Sequence, residues 1–108
     1  MNLDFFKKIR ILDGGMGQEL LARGMESNST LWSANAILNK KYHKLVLDTH
    51  KDFIKAGAEI IVTTTFTIRK KRLKENNIED KFEYLNKKAG EIALKAKKEF
   101  SNVCVAGG

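Results

Sequence analysis

The sequence predicts an α/β fold of parallel strands joined by helices, and three observations carry that prediction. Short apolar runs occur around residues 9–12, 59–67 and 103–106; helical stretches with one apolar stripe separate the later runs; and each run passes directly into glycines or threonines. Strands that alternate with helices pair in parallel through crossovers, in a doubly wound sheet or a (β/α) barrel.

The first run, Ile9, Ile11 and Leu12, is cut off by Asp13 and then by Gly14, Gly15 and Gly17, as suits a buried strand that ends in a loop. From Tyr42 the apolar positions Leu45, Val46, Phe53 and Ile54 recur at helical spacing, with Thr49 filling the gap. That helix is expected to end at Ala56-Gly57, where glycine can take the left-handed cap. Residues 59–67, EIIVTTTFT, are almost all β-branched or aromatic and read as a second strand. A longer helix is expected from about Asp80 to Phe100, with Phe82, Leu85, Ala89, Ile92, Ala93, Ala96 and Phe100 on one side. NVCVAGG closes the chain as a third strand that runs into paired glycines.

The totals narrow the function classes. At 108 residues, 43% hydrophobic and 31% charged, the chain is globular in composition and fits at most one domain. No run reaches the ~18 apolar residues of a membrane span, and the charges of MNLDFFKKIRIL interrupt any signal-peptide core, so a soluble, cytoplasmic protein is expected. The single Cys104 can form no internal disulfide and cannot alone hold zinc; within VCVA it reads as a small buried residue. The net charge of +7 raises a nucleic-acid partner. Only RKKRLK at 69–74 is dense, however, and without interleaved aromatics it reads as a solvated helix face or loop.

In both candidate architectures the chemistry gathers at the C-terminal ends of the strands. Those ends carry Asp13-Gly14-Gly15, then Thr63 to Thr67, then Gly107-Gly108, which would line one small-molecule rim. GGMG followed by QEL matches neither a dinucleotide fingerprint nor a P-loop. An acid ahead of the glycines would repel phosphate but suits an ammonium group, while glycine amides can donate to a carboxylate; the head group of an amino acid satisfies both. On pattern alone a second reading stands beside it, in which Asp13 caps a short helix from Met16 to Leu21 and the glycines make the turn. The threonines equally need no ligand to belong in a strand.

ILDGGMGQEL, LWSANAIL at 31–38, HKDFIKAGAEIIVTTTF at 50–66, RL at 72–73 and the closing VAGG together resemble the homocysteine S-methyltransferases, in register over residues 9–108. The resemblance implies the N-terminal part, the first three strands, of a (β/α)8 TIM barrel, so that residues 1–108 are one partial homocysteine-binding domain. It implies a zinc ion, held by cysteines of later strands, that activates the homocysteine thiolate for attack on a methyl donor to give methionine. Carried over by position, Asp13 would hold the substrate ammonium, and Gly14 and Gly15 would present amides to its carboxylate. Thr63, Thr65 and Phe66 would border the amino acid, and Trp32 would stand near the methyl donor. Gln18 departs from the threonine of many members, Thr64 from asparagine, and Arg69-Lys70-Lys71 makes the second loop unusually basic.

A barrel of this kind takes ~250 residues, so the chain alone is expected to lack the zinc ligands and catalytic activity and to associate through open sheet edges. The competing classes are a non-catalytic amino-acid-binding module and, less favoured, a basic nucleic-acid binder. The methyl donor is left open among S-methylmethionine, S-adenosylmethionine, betaine and methyl-folate delivered through cobalamin.

Overall fold

Met16–Ala22 forms the first helix, α1, entered through Gly15 in an extended conformation whose carbonyl accepts the Glu19 amide at 3.1 Å. The structure, a computed structural model, describes residues 14–27, 31–65, 68–100 and 103–107. The expected first strand, together with Asp13, Phe66 and Gly108, lies outside the described residues.

Then follow α2 (Ala34–Leu38), a 3-10 turn (Lys40–Tyr42), α3 (His43–Lys55), β1 (Ile60–Val62), α4 (Lys70–Glu75), a second 3-10 turn (Glu79–Lys81), α5 (Phe82–Lys97) and β2 (Cys104–Ala106). The two strands are parallel, with Ile60 opposite Cys104, Ile61 opposite Val105 and Val62 opposite Ala106. Cys104 donates its amide to Glu59 (3.0 Å) and Thr63 donates to Ala106 (2.9 Å), so the ladder runs one residue past each end of β1.

Three of the helices stop by the same device. At the end of α1 the Gly24 amide donates to Leu21 and the Met25 amide to Leu20, with Gly24 at φ +103°. After α3 the amides of Gly57 (φ +118°) and Ala58 donate to Ile54 and Phe53. After α4 those of Asn77 (φ +59°) and Ile78 donate to Lys74 and Leu73. This is the Schellman arrangement: a left-handed residue turns the chain, and the apolar residue that follows packs back onto the helix. Met25 and Ile78 accordingly join the cluster that holds Leu20 and Leu73, and Ala58 the cluster that holds Ile54. The glycine cap expected at Ala56-Gly57 is therefore present.

The core has two parts. One gathers Leu20, Ile37, Val46, Leu73, Leu85 and Ala89 from all five helices; the other sets Ile61 of β1 against Ile54, Ala93, Ala96 and Val103. The α5 stripe is buried as expected at Leu85, Ala89, Ile92, Ala93 and Ala96, with Phe82 half-buried at its start; the helix ends at Lys97 rather than at Phe100, which is half-buried three residues beyond. On α3 the buried residues are Val46, Thr49, His50 and Ile54. Thr49 tolerates that position because its hydroxyl donates to the Leu45 carbonyl at 2.7 Å.

Two expectations need correction. The second strand is Ile60–Val62 rather than 59–67, because the backbone beyond Thr63 bonds to itself: Thr65 donates to Thr63 (2.8 Å) and Ile68 to Thr65 (2.9 Å). Local turn bonds here override the strand preference of β-branched residues. Cys104, expected buried, is a half-buried free thiol, since all three residues of β2 are only partly covered.

Candidate functional site

The C-terminal end of β1 is where the sequence concentrates hydroxyls, and the turn that replaces the strand there brings two of them together. Thr63 Oγ1 and Thr65 Oγ1 are 3.0 Å apart, a hydrogen bond in which either can donate. Between them Thr64 is buried, and its hydroxyl has no partner. A buried hydroxyl without a hydrogen bond costs about 1–3 kcal/mol, so this turn is held at some expense by the packing around it.

Gly14 and Gly15 lie exposed ahead of α1. A β-carbon at Gly14 would stand 3.0 Å from the Phe53 ring, so any larger residue there requires that ring to give by a few tenths of an ångström: the backbone runs close to the last turn of α3. Gly17 faces Ser33 across 3.7 Å, measured from where its β-carbon would stand, and so seats the start of α1 beside the loop that carries Trp32.

Trp32 is 58% exposed and has φ +53°, a left-handed conformation costly for a bulky side chain. The guanidinium of Arg72 lies over its ring, 5.5 Å from the centroid. Arg72 belongs to the basic stretch, which forms α4 with Lys70, Lys71 and Lys74 exposed, Arg72 half-buried and Leu73 fully buried. The expected solvated face is thus only part of that segment. Lys70 also stacks, 5.3 Å from the centre of the Phe82 ring.

Of the sequence-predicted residues, then, Thr63 joins Thr65, Gly14 and Gly15 form one exposed stretch, and Trp32 is displayed at the surface with an arginine on its ring. Asp13 and Phe66 lie outside the described residues. Arg72 as the partner of Trp32 went unseen in the sequence because it sits in a basic run and the pairing is non-local. His50 was equally unmarked, although it falls four residues from both Val46 and Ile54 on the buried stripe of α3. It is fully buried, neither ring nitrogen is hydrogen-bonded, and burial pushes its pKa down from 6.5 to about 4.

A shallow cleft lined by Ile54, Ala58, Glu59, Glu99, Phe100 and Val103 sits at the opposite, N-terminal end of the strands. Parallel α/β folds place chemistry at the other end, so it is not the candidate site. Among the described residues no group of three or more His, Cys, Asp or Glu is placed to hold a metal ion. Nor is any helix among them long and apolar enough to cross a membrane.

Comparison with known proteins agrees with this layout. A family model described as Homocysteine S-methyltransferase matches residues 10–108. Homocysteine S-methyltransferase 2 of Zea mays is 35% identical over 91 residues, which is 83% of this chain and 26% of that protein. Selenocysteine Se-methyltransferase of Brassica oleracea var. italica is 36% identical over 96 residues, 87% of this chain and 27% of that protein. In structure, the metallated homocysteine methyltransferase MmuM of Escherichia coli superposes with a TM-score of 0.82 at 28% identity, over 97% of this chain and 39% of that one. The chain therefore spans about a quarter of the length of the curated relatives it matches.

Proposed function

This chain belongs to the homocysteine S-methyltransferase family, and we propose that it is the amino-acid-binding portion of an enzyme that methylates the homocysteine thiolate to give methionine. What carries the reading is the match over residues 10–108, which takes in both the Asp13–Gly15 loop and the Thr63–Thr65 turn. The parallel β1 and β2, joined through α4 and α5, support a place in the first part of a (β/α)8 barrel, with residues 1–108 forming one partial domain.

In this reading Asp13 takes the substrate ammonium, and the Gly14 and Gly15 amides, with no side chain in the way, take its carboxylate. Thr63, Thr65 and Phe66 close the pocket around the amino acid, and Trp32 receives the methyl donor. A selenocysteine Se-methyltransferase among the relatives supports assigning the head group to this portion. Homocysteine and selenocysteine differ at the chalcogen end and share the ammonium and carboxylate, so a conserved division of labour would put the common group here.

Zinc, which the family resemblance implies, finds no set of ligands among the described residues, and Cys104 is the chain's one cysteine. The donor set present does not fit the ion, so nothing in this chain is assigned to activating the thiolate; its residues bind and orient the amino acid. A cytoplasmic setting belongs to the same reading, supported by the free thiol of Cys104. The nucleic-acid alternative is less favoured, since the basic stretch carries no interleaved aromatic and one of its five basic residues, Arg72, is half-buried over the Trp32 ring.

Calorimetric titration of the chain with homocysteine tests the proposal. Binding should weaken about 10- to 100-fold in Asp13→Asn, the loss of one charge-assisted contact, and the chain alone should form no methionine and bind no stoichiometric zinc. Undiminished binding by Asp13→Asn would overturn the assignment of the loop.

A further inference from the structure

Phe53, in the last turn of α3, lies against the loop assigned to the substrate carboxylate. A β-carbon at Gly14 would stand 3.0 Å from Cε1 and 3.3 Å from Cζ of the Phe53 ring, and 3.9 Å from Cδ1. The half-buried ring has little freedom to give way, because it also packs against the cluster that holds Ile54, Ile61 and Val103, and close-packed interiors transmit strain rather than absorb it. Its backbone is held as well: in the left-handed Gly57 turn the Ala58 amide donates to the Phe53 carbonyl at 3.0 Å. The neighbouring Asp52 takes the Arg23 guanidinium at 2.8 Å. The last turn of α3 thus meets α1 at both ends, through Gly14 just ahead of its start and through Arg23 at its close. That exposed ion pair adds little stability by itself; together with the ring it sets where α1 and its entry loop lie.

We propose that Phe53 is a positioning residue for substrate binding: its ring fixes how close the Gly14 and Gly15 backbone stands to α3, and so where the two amides meet the substrate carboxylate. The inference rests on the reading in which those amides take that carboxylate. Hydrogen bonds weaken steeply when donors are displaced or misaligned, so a loop shifted by a few tenths of an ångström loses affinity for the carboxylate and for no other part of the ligand. Phe53 itself touches no substrate atom. A β-carbon at residue 14 displaces the loop rather than the ring, and does so only while the ring is there.

The test is calorimetric titration of the unaltered chain, Gly14→Ala, Phe53→Leu and the double variant, in whatever oligomeric form the chain adopts. Each is titrated with homocysteine and with 3-aminopropane-1-thiol, which keeps the ammonium and thiol and lacks the carboxylate. Leucine fills the inner part of the ring's volume and has no atoms in place of Cε1 and Cζ. Homocysteine should bind about tenfold more weakly to Gly14→Ala and about fivefold more weakly to Phe53→Leu, while the carboxylate-free amine should bind all four within about twofold. In the Phe53→Leu chain, adding Gly14→Ala should cost no more than about twofold further, a coupling in affinity that a merely structural role does not produce. Losses that multiply to about fiftyfold in the double variant, or undiminished homocysteine binding by Phe53→Leu, overturn the role of Phe53 and leave the loop assignment standing. If urea unfolding shows that Gly14→Ala does not fold, the carboxylate-selective loss in Phe53→Leu decides the matter alone. An unaltered chain that binds neither compound, or both equally, overturns the carboxylate assignment of the loop, and this inference with it.

Discussion

The layer made by α3 and α5 and the rim at the end of β1 are built on opposite principles. Between the helices most buried residues are apolar at regular spacing, with Val46, Leu85, Ala89 and Ala93 wholly excluded from solvent and Thr49 and His50 of α3 as the polar exceptions, and apolar stripes of this kind pack without any particular chemistry. At the rim the backbone leaves the strand and Thr64 is buried with its hydroxyl unpaired, and in the loop before α2 Trp32 holds a strained φ. Costs of that sort persist only where surrounding packing over-determines them, and they gather at binding sites. The difference teaches that the helical layer is spent on stability, and that the rim draws on it.

Substitutions should separate the two regions. Leu85→Ala, which empties a fully buried position on α5, should have the largest effect, about 2–5 kcal/mol, enough to remove most of the cooperativity in urea unfolding of a chain this small. A chain that unfolds cooperatively with its midpoint unchanged would show that α5 is not central to the core.

Acid should come next. His50 is buried neutral with its pKa near 4 instead of 6.5, so the unfolded chain takes up the proton first. Stability is then full above pH 6.5 and declines as pH falls toward 4, by up to about 3 kcal/mol. Urea midpoints at pH 7.5 and pH 5 should differ in the unaltered chain and converge in His50→Gln; an equal pH dependence in both would assign the titration to another group.

The smallest stability effect should come from the rim. Thr63→Val removes one hydroxyl of the Thr63–Thr65 pair at a half-buried position, which should cost no more than about 1 kcal/mol. If the rim binds the amino acid, the same change should weaken homocysteine binding several-fold, measured by calorimetry. A Thr63→Val chain that loses stability as Leu85→Ala does, with affinity intact, would erase the contrast between the regions.

Much of the layer is legible in the sequence. The α5 stripe, the Gly57 cap and the parallel order of β1 and β2 follow from local spacing and from a residue type with few conformational alternatives. The rim is less so. EIIVTTTFT has the composition of a longer strand than it forms, since composition does not say where ladder bonds give way to turn bonds. His50 and Arg72 enter the sequence reading only inside longer motifs, with no role of their own, because a histidine on an apolar stripe and an arginine in a basic run show their role only through what packs beside them.

The sequence by itself determined the alternation of elements, the residues that face the core and, through the spacing of its motifs, the family. Periodicity and capping act over a few residues and are written there directly. Only the tertiary structure decided that β1 ends at Val62, that Thr63 and Thr65 share a hydrogen bond, and that Arg72 lies on Trp32. Those outcomes depend on which distant segments meet, and burial and charge act between such segments only once the chain has folded.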